Sequence, residues 1–300
     1  MPGHVPVLKE EAVQLLLTDP SGTYVDATFG GGGHAAAILE SLGGEGRLVG
    51  LDCDPAAVER ARGLFPEPRF QARRARFSEM GEALRGLGVE RVDGILADLG
   101  LSSIQLDDPA RGFSFGAPGP LDMRLDPSLP RSAEALLRGI DDEELARLLR
   151  ELGEVPRPRA AVRAIRRALE ASTPLTAASL AQALEPLVRG PARPRRLSQI
   201  FQALRIAVNR ELDELASLLH DAPSLLRPGG TLCVIAYHSL EDRLVKNAFR
   251  PPRPSDPMVP ETKTPWQPLT KKPIRPGDEE LRRNPRARSA RLRAFRRKSS

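Results

Sequence analysis

Residues 24 to 34 read Tyr-Val-Asp-Ala-Thr-Phe-Gly-Gly-Gly-Gly-His. A short apolar run closes on Asp26, four glycines follow, and Ala35 to Leu42 then carries apolar residues at helical spacing, at Ile38, Leu39 and Leu42. Strand, glycine turn and helix in that order is how an open parallel sheet brings its backbone up to a nucleotide-like ligand. Glycine suits such a turn because it takes positive φ and has no Cβ to hold the ligand off. Gly30-x-Gly32-x-x-Ala35 satisfies the dinucleotide fingerprint, with Asp52 placed where a ribose-binding acid belongs. Asp26, just ahead of the glycines, tilts the reading away from a pyrophosphate, which it would repel. A carboxylate there suits S-adenosylmethionine, whose ammonium and sulfonium are both cationic.

The same pattern recurs along the chain. Arg47 to Asp52 is a second apolar strand ending in an acid, with Asp54 and Pro55 opening the helix that follows. A short strand near Arg69 to Ala72 precedes Phe77, Glu79 to Leu87 is helical, and Val92 to Leu99 is a fourth strand that delivers Asp98. Three strands ending in Asp26, Asp52 and Asp98 put three carboxylates along one edge of a parallel sheet, the edge at which open α/β sheets bind ligands. From about Asp107 to Arg196 the alternation gives way to helices, among them one capped by Asp141 and one by Thr176. Gly190 to Pro194 reads as a linker, and a long helix from Ser198 to about His220 follows it. The sheet pattern resumes with a strand over Thr231–Ala236 and a helix from Leu240 to Phe249 capped by Ser239 and Asp242. Pro251 to Pro276 reads as irregular, and Ser289 to Phe295 as a last strand with one basic face. The expected architecture is a Rossmann-like α/β fold, mostly parallel, with an inserted all-helical domain. Its boundaries fall at 1–106 and 197–300 for a discontinuous core and 107–196 for the insertion.

Composition narrows the function. The 300 residues are 40% hydrophobic and 28% charged, ordinary for a globular chain. No apolar run reaches the roughly 20 residues of a membrane span, and the N-terminus lacks an export signal, so a cytoplasmic protein is expected. Cys53 and Cys233 lack metal-ligand spacing, which predicts no metal site. The net charge of +6 is uneven: Lys271 to Ser300 holds twelve Lys or Arg against three acids, about +9, which leaves about −3 for the rest. A basic end of that kind predicts an RNA contact beside a base-modifying site.

Asp98 is followed by Leu-Gly-Leu-Ser102-Ser103. A polar turn at the tip of the fourth strand is where a methyltransferase acting on amines grips its target. The exocyclic amine of cytosine or adenine is a poor nucleophile because its lone pair is delocalised into the ring. An acid accepting its N–H bonds localises that pair and then takes the proton. Arg111-Gly-Phe113-Ser-Phe115 offers guanidinium and aromatic groups for a phosphate and an extruded base, and Phe pairs equally well fill a core. His238, after the fifth strand, either touches substrate or caps a helix. A methyltransferase acting on an exocyclic base amine of RNA therefore competes with a nicotinamide-dependent oxidoreductase, which has only the glycine fingerprint, and with a non-catalytic RNA-binding assembly factor.

A set of spaced motifs resembles the RsmH/MraW family of bacterial 16S rRNA (cytosine-N(4)) methyltransferases. They include His4-Val-Pro-Val-Leu, Asp26-Ala-Thr-Phe-Gly-Gly-Gly-Gly-His34, Asp52-Cys-Asp-Pro-Ala56 and Asp93-Gly-Ile-Leu-Ala-Asp-Leu-Gly-Leu-Ser-Ser103. Arg111-Gly-Phe-Ser-Phe115, Leu121-Asp-Met-Arg124, Phe201 to Ile206, Asn209-Arg-Glu-Leu212, His238-Ser-Leu-Glu-Asp-Arg243 and Asn284 to Ala290 extend the match over almost the whole chain. The resemblance implies a class I methyltransferase core and methylation of one cytidine in the decoding, P-site region of 16S rRNA in the small ribosomal subunit. It implies that S-adenosylmethionine meets Gly32, Gly33 and His34, that Asp52 holds its ribose, that Phe77 lies by its adenine, and that Asp98 and Gln105 lie near its methionine end. Three stretches depart from the family pattern: Leu152 to Pro156, Pro194 to Ser198, and Tyr237, which stands where Phe is usual.

Overall fold

The computed structural model describes residues 6–188, 193–249 and 264–299. His4, most of the Gly190–Pro194 linker and the first half of the proline-rich stretch lie outside the described residues. The chain forms two compact units, one from Met1–Gly100 with Leu212–Ser300 and one from Leu101–Glu211.

The first unit is built on a seven-stranded sheet. Its strands are β1 (Thr23–Asp26), β2 (Arg47–Asp52), β3 (Phe70–Arg74), β4 (Val92–Asp98), β5 (Leu226–Ala236), β6 (Trp266–Pro268) and β7 (Arg291–Arg297), in the order β3-β2-β1-β4-β5-β7-β6. The first five pair in parallel, and β7 enters antiparallel beside β5. Val25, Val49, Leu51, Ile95, Leu96, Val234 and Ile235 are almost wholly buried, as strands covered on both faces must be. The helices of this unit that precede the second are α1 (Lys9–Leu16), α2 (Gly33–Ser41), α3 (Pro55–Leu64) and α4 (Met80–Arg85). Asp54 caps α3 by accepting from the Ala56 amide at 3.0 Å, with Pro55 in the first turn, as its sequence predicts.

The second unit is helical: α5 (Ser103–Asp107), α6 (Ala133–Gly139), α7 (Asp142–Gly153), α8 (Pro158–Ala171), α9 (Ala177–Leu184) and α10 (Arg193–Asn209). Leu145, Leu149, Val162, Ile165, Leu180, Ile200 and Leu204 share its core. The sequence boundary at 196/197 differs from the unit boundary because α10 buries Leu197, Ile200, Phe201 and Leu204 in that helical core, and the one at 106/107 differs because Leu101 and Leu106 pack on the same core. The single helix expected over Ser198–His220 is in fact two, α10 and α11 (Glu211–Leu225), parted at Arg210, whose φ is 53°. The adjacent Asn209 turns its side chain inward: Nδ2 donates to the Met123 carbonyl at 2.7 Å and Oδ1 accepts from the Leu125 amide at 2.7 Å. Nδ2 also donates to the Arg205 carbonyl at 2.9 Å, four residues back, a local bond that competes with the helix ladder at its end.

The last helices of the first unit are α12 (Ser239–Ala248) and α13 (Asp278–Arg283). The proline-rich stretch, expected to be irregular, yields the short β6 within its described half. β7 is the expected terminal strand, but its basic face is occupied. Arg293 Nε donates to Asp242 Oδ1 at 2.7 Å, and Arg291 lies 3.7 Å from the same carboxylate. Among the described residues no helix is long and apolar enough to cross a membrane.

Candidate active site

Strand order reverses between β1 and β4, so their connections leave in opposite directions and open a crevice at the strand tips. Register brings the three acids to that edge. Asp26 pairs with Gly50 on β2 and with Leu96 on β4, so Asp52 and Asp98 each stand two residues further along the flanking strands. Neighbouring β-strands lie about 5 Å apart, which is close enough for the acids to raise one another's proton affinity.

Burial dominates their chemistry. Asp26 is 1% exposed, and loss of hydration pushes its carboxyl up to about 6 against the pull of His34 and of the Thr28 amide. Asp52 is likewise pushed up to about 6 by burial, opposed by the Asp54 and Gly30 amides. Asp98 keeps 17% of its side chain exposed and still rises to about 7, through burial and then the nearby Glu241, with the Tyr237 hydroxyl opposing. Tyr237 Oη donates to Asp98 Oδ1 at 2.8 Å, and Thr28 Oγ1 accepts from the Asp98 amide at 2.7 Å. His34 is buried at the start of α2, and burial holds its pKa below the usual imidazole range. Its Nε2 lies 3.1 Å from the Val7 carbonyl, a group that only accepts, so Nε2 carries the proton. Its Nδ1 lies 3.6 Å from Asp98 Oδ2.

The glycine turn is held from both sides. Asp52 Oδ2 accepts from the Gly30 amide at 2.8 Å and its Oδ1 from the Asp54 amide at 2.9 Å, tying the tip of β2 to the turn. Gly32 has φ +80°, and a Cβ there would stand 2.8 Å from Phe29 Cζ, so both conformation and space demand glycine. At Gly33 a Cβ would meet the Pro6 ring at 3.0 Å, so the N-terminal arm packs directly on the turn.

A family model, the MraW methylase family, matches residues 1–298. The chain belongs to that family. Ribosomal RNA small subunit methyltransferase H of Sorangium cellulosum is 48% identical over 299 residues, covering 98% of this chain and 90% of that protein. The protein of the same name from Thermomicrobium roseum is 47% identical over 304 residues, covering 97% and 92%. Among solved structures, an rRNA methylase from Streptococcus thermophilus overlays with a TM-score of 0.42 at 9% identity, covering 97% of this chain and 94% of that one.

As an MraW methylase the chain is a methyltransferase whose methyl donor is S-adenosylmethionine. Its crevice fits that molecule. Asp26 Oδ1 accepts from the Thr28 amide at 3.2 Å, but Oδ2 is buried with no hydrogen-bond partner, a costly arrangement unless a ligand supplies a donor. Asp52 keeps a lone pair on each oxygen for a ribose hydroxyl. Phe77 is half-buried at the start of a short turn after β3.

The remaining predicted residues of this methylase have settled positions. His238 is the cap of α12, in place of the expected Ser239: its ring accepts from the Glu241 amide at 3.4 Å, and Nε2 lies 3.0 Å from Glu241 Oε1. Ser102, Ser103, Gln105, Arg111 and Phe113 belong to the helical unit. Ser102 and Gln105 form a reciprocal capping box on α5, Oγ accepting at 3.2 Å and Oε1 at 3.1 Å, which a sequence search for Glu would miss. Ser103 is the first residue of that helix. Arg111 donates to the Arg124 and Leu125 carbonyls at 3.0 and 2.8 Å. Phe113, only 6% exposed, lies in the core of the helical unit, whereas Phe115 at 37% is more open. Sequence reasoning missed Thr28, Val7 and the bond from Tyr237 to Asp98. Val7 and Thr28 lay inside stretches that resemble the family, and Tyr237 departs from its pattern, but none of these signals names the partner each residue meets.

Proposed function

We propose that this chain methylates the exocyclic N(4) amine of a cytidine in the decoding region of 16S rRNA, with Asp98 as the acid that grips the amine and removes its proton. The reading rests on one observation: Asp98, raised to about 7, stands at the switch-point crevice beside Asp26, whose Oδ2 lacks a partner. When bound, S-adenosylmethionine supplies an electrophilic methyl on a sulfonium. Asp26 would hold its ammonium and Asp52 its ribose, and Gly32 and Gly33 would let it approach the backbone, with His34 and Phe77 completing the cofactor set on the sheet unit. Asp98 would accept an N–H of the cytosine amine, keep the nitrogen lone pair turned toward the methyl, and take the proton as the N–C bond forms and the sulfonium S–C bond breaks, its electron pair leaving on a neutral thioether. A carboxyl titrating near 7 is matched to that task, since it is substantially ionised at neutral pH yet basic enough to receive a proton.

The helical unit, with Ser102, Ser103 and Arg111, serves RNA recognition in this proposal, and the substrate is rRNA of the small subunit in the cytoplasm. The burial of Phe113 and the carbonyl contacts of Arg111 favour Phe115 as the residue that meets a base, with Arg111 shaping the loop behind it. The test is Asp98→Asn, scored by mass spectrometry of rRNA nucleosides. It should retain fold and cofactor affinity while N(4)-methylcytidine formation falls on the order of 100- to 10,000-fold. Wild-type turnover would remove Asp98 from the chemistry.

A further inference from the structure

We infer that Tyr237 is a positioning residue whose hydroxyl, not its ring, holds Asp98 in its ionised form and fixed orientation; the inference rests on Asp98 being the proton acceptor. Tyr237 is the first residue beyond β5. Its backbone amide donates to Glu241 Oε2 at 2.8 Å, which sets the direction in which the side chain leaves the sheet. The ring passes over Gly100, where a Cβ would stand 3.6 Å from Tyr237 Cδ2, and the hydroxyl reaches Asp98 Oδ1 at 2.8 Å. Burial first, and the negative charge of Asp98 second, push the phenol pKa far upward, so it stays protonated and donates throughout the working range.

A committed donor favours carboxylate over carboxylic acid. The titratable groups facing Asp98 come from four elements. Asp26 at the end of β1 and Glu241 on α12 are acids and favour the protonated form, as burial does. His34 on α2, whose charged form burial disfavours, stands 3.6 Å away, beyond hydrogen-bond reach. Tyr237, after β5, is the one side-chain donor bonded to the carboxyl among the described residues. With Oδ1 engaged, rotation of the carboxyl is blocked and Oδ2 is left facing the His34 side of the crevice. Tyr237→Phe keeps the ring that lies over Gly100 and removes only the donor.

Two measurements on the full-length protein test the role. Titrating protein labelled with ¹³C at aspartate carboxyls, with Asp98 assigned by its absence in Asp98→Asn, reads the carboxyl without turnover. The pH profile of kcat/KM reads the same group during turnover. In Tyr237→Phe both midpoints should rise by about one to two pH units. Activity near pH 6.5 should fall roughly tenfold or more and converge on wild type at high pH. Unmoved midpoints, or a loss of activity equal at every pH, would overturn the inference, since packing alone would then explain the side chain. Asp98→Asn separates the two levels. If it turns over normally, the Asp98 assignment and this inference fall together; if it is inactive while Tyr237→Phe titrates like wild type, only the role of Tyr237 falls.

Discussion

Asp26→Asn should make the ligand-free protein more stable at alkaline pH while weakening its grip on the cofactor. The carboxyl of Asp26 is pushed from 3.8 to about 6 by burial, so holding it ionised in the folded state costs about 2 units at 1.36 kcal/mol each, or about 3 kcal/mol. The sign follows from proton counts. Between about pH 4 and pH 6 the folded protein keeps a proton that the unfolded chain has released, so wild-type stability falls as pH rises through that window. The Asn variant has no such loss. Its Oδ1 keeps the Thr28 bond, and its Nδ2 replaces an oxygen that already lacked a partner. Any cost of burying that amide is therefore independent of pH. The difference in unfolding free energy, variant minus wild type, should grow by up to about 3 kcal/mol from pH 4 to pH 8. Denaturant titrations at closely spaced pH values would read it, and calorimetry with S-adenosylmethionine would read the other half. Loss of a charge-assisted bond to the ammonium should raise Kd about 10- to 100-fold. A difference that stays flat with pH refutes the burial argument, and unchanged affinity refutes the ammonium contact.

Three further changes probe the frame around the site. Gly32→Ala must place a side chain at φ +80° and 2.8 Å from Phe29 Cζ, which should cost about 2–5 kcal/mol from left-handed strain and overpacking; a melting temperature equal to wild type would contradict it. Asn209→Ala strips partners from the Met123 carbonyl and the Leu125 amide. It should destabilise the helical unit by about 2–4 kcal/mol, visible as faster hydrogen exchange over residues 121–129. Ending the chain at Ala290 removes β7 from between β5 and β6, so the product should fail to fold. A folded truncated protein that had lost only RNA affinity would show that the basic end acts chiefly as a surface.

The strand tips were legible in the sequence because the signals there are local. An apolar run stopping at an acid, followed by glycines or by Asp-Pro, sets a strand end, a turn and a helix cap within a few residues, and Asp26, Asp52, Asp54 and Asp98 stand where that logic puts them. Apolar spacing likewise marked α7, α8 and α9. Tertiary structure decided what depends on residues far apart in the chain. Tyr237 meets Asp98 across 139 positions, and Asn209 meets Met123 across 86, pairings that no local propensity encodes. The same holds for Val7 against His34, and for Asp242 against the arginines of β7, which turn a strand that looks basic in sequence into a paired one. Sequence determined which acids would stand at the strand tips. Only folding set how burial and long-range hydrogen bonds divide their protons, because desolvation and donor geometry arise once distant strands and helices close around them.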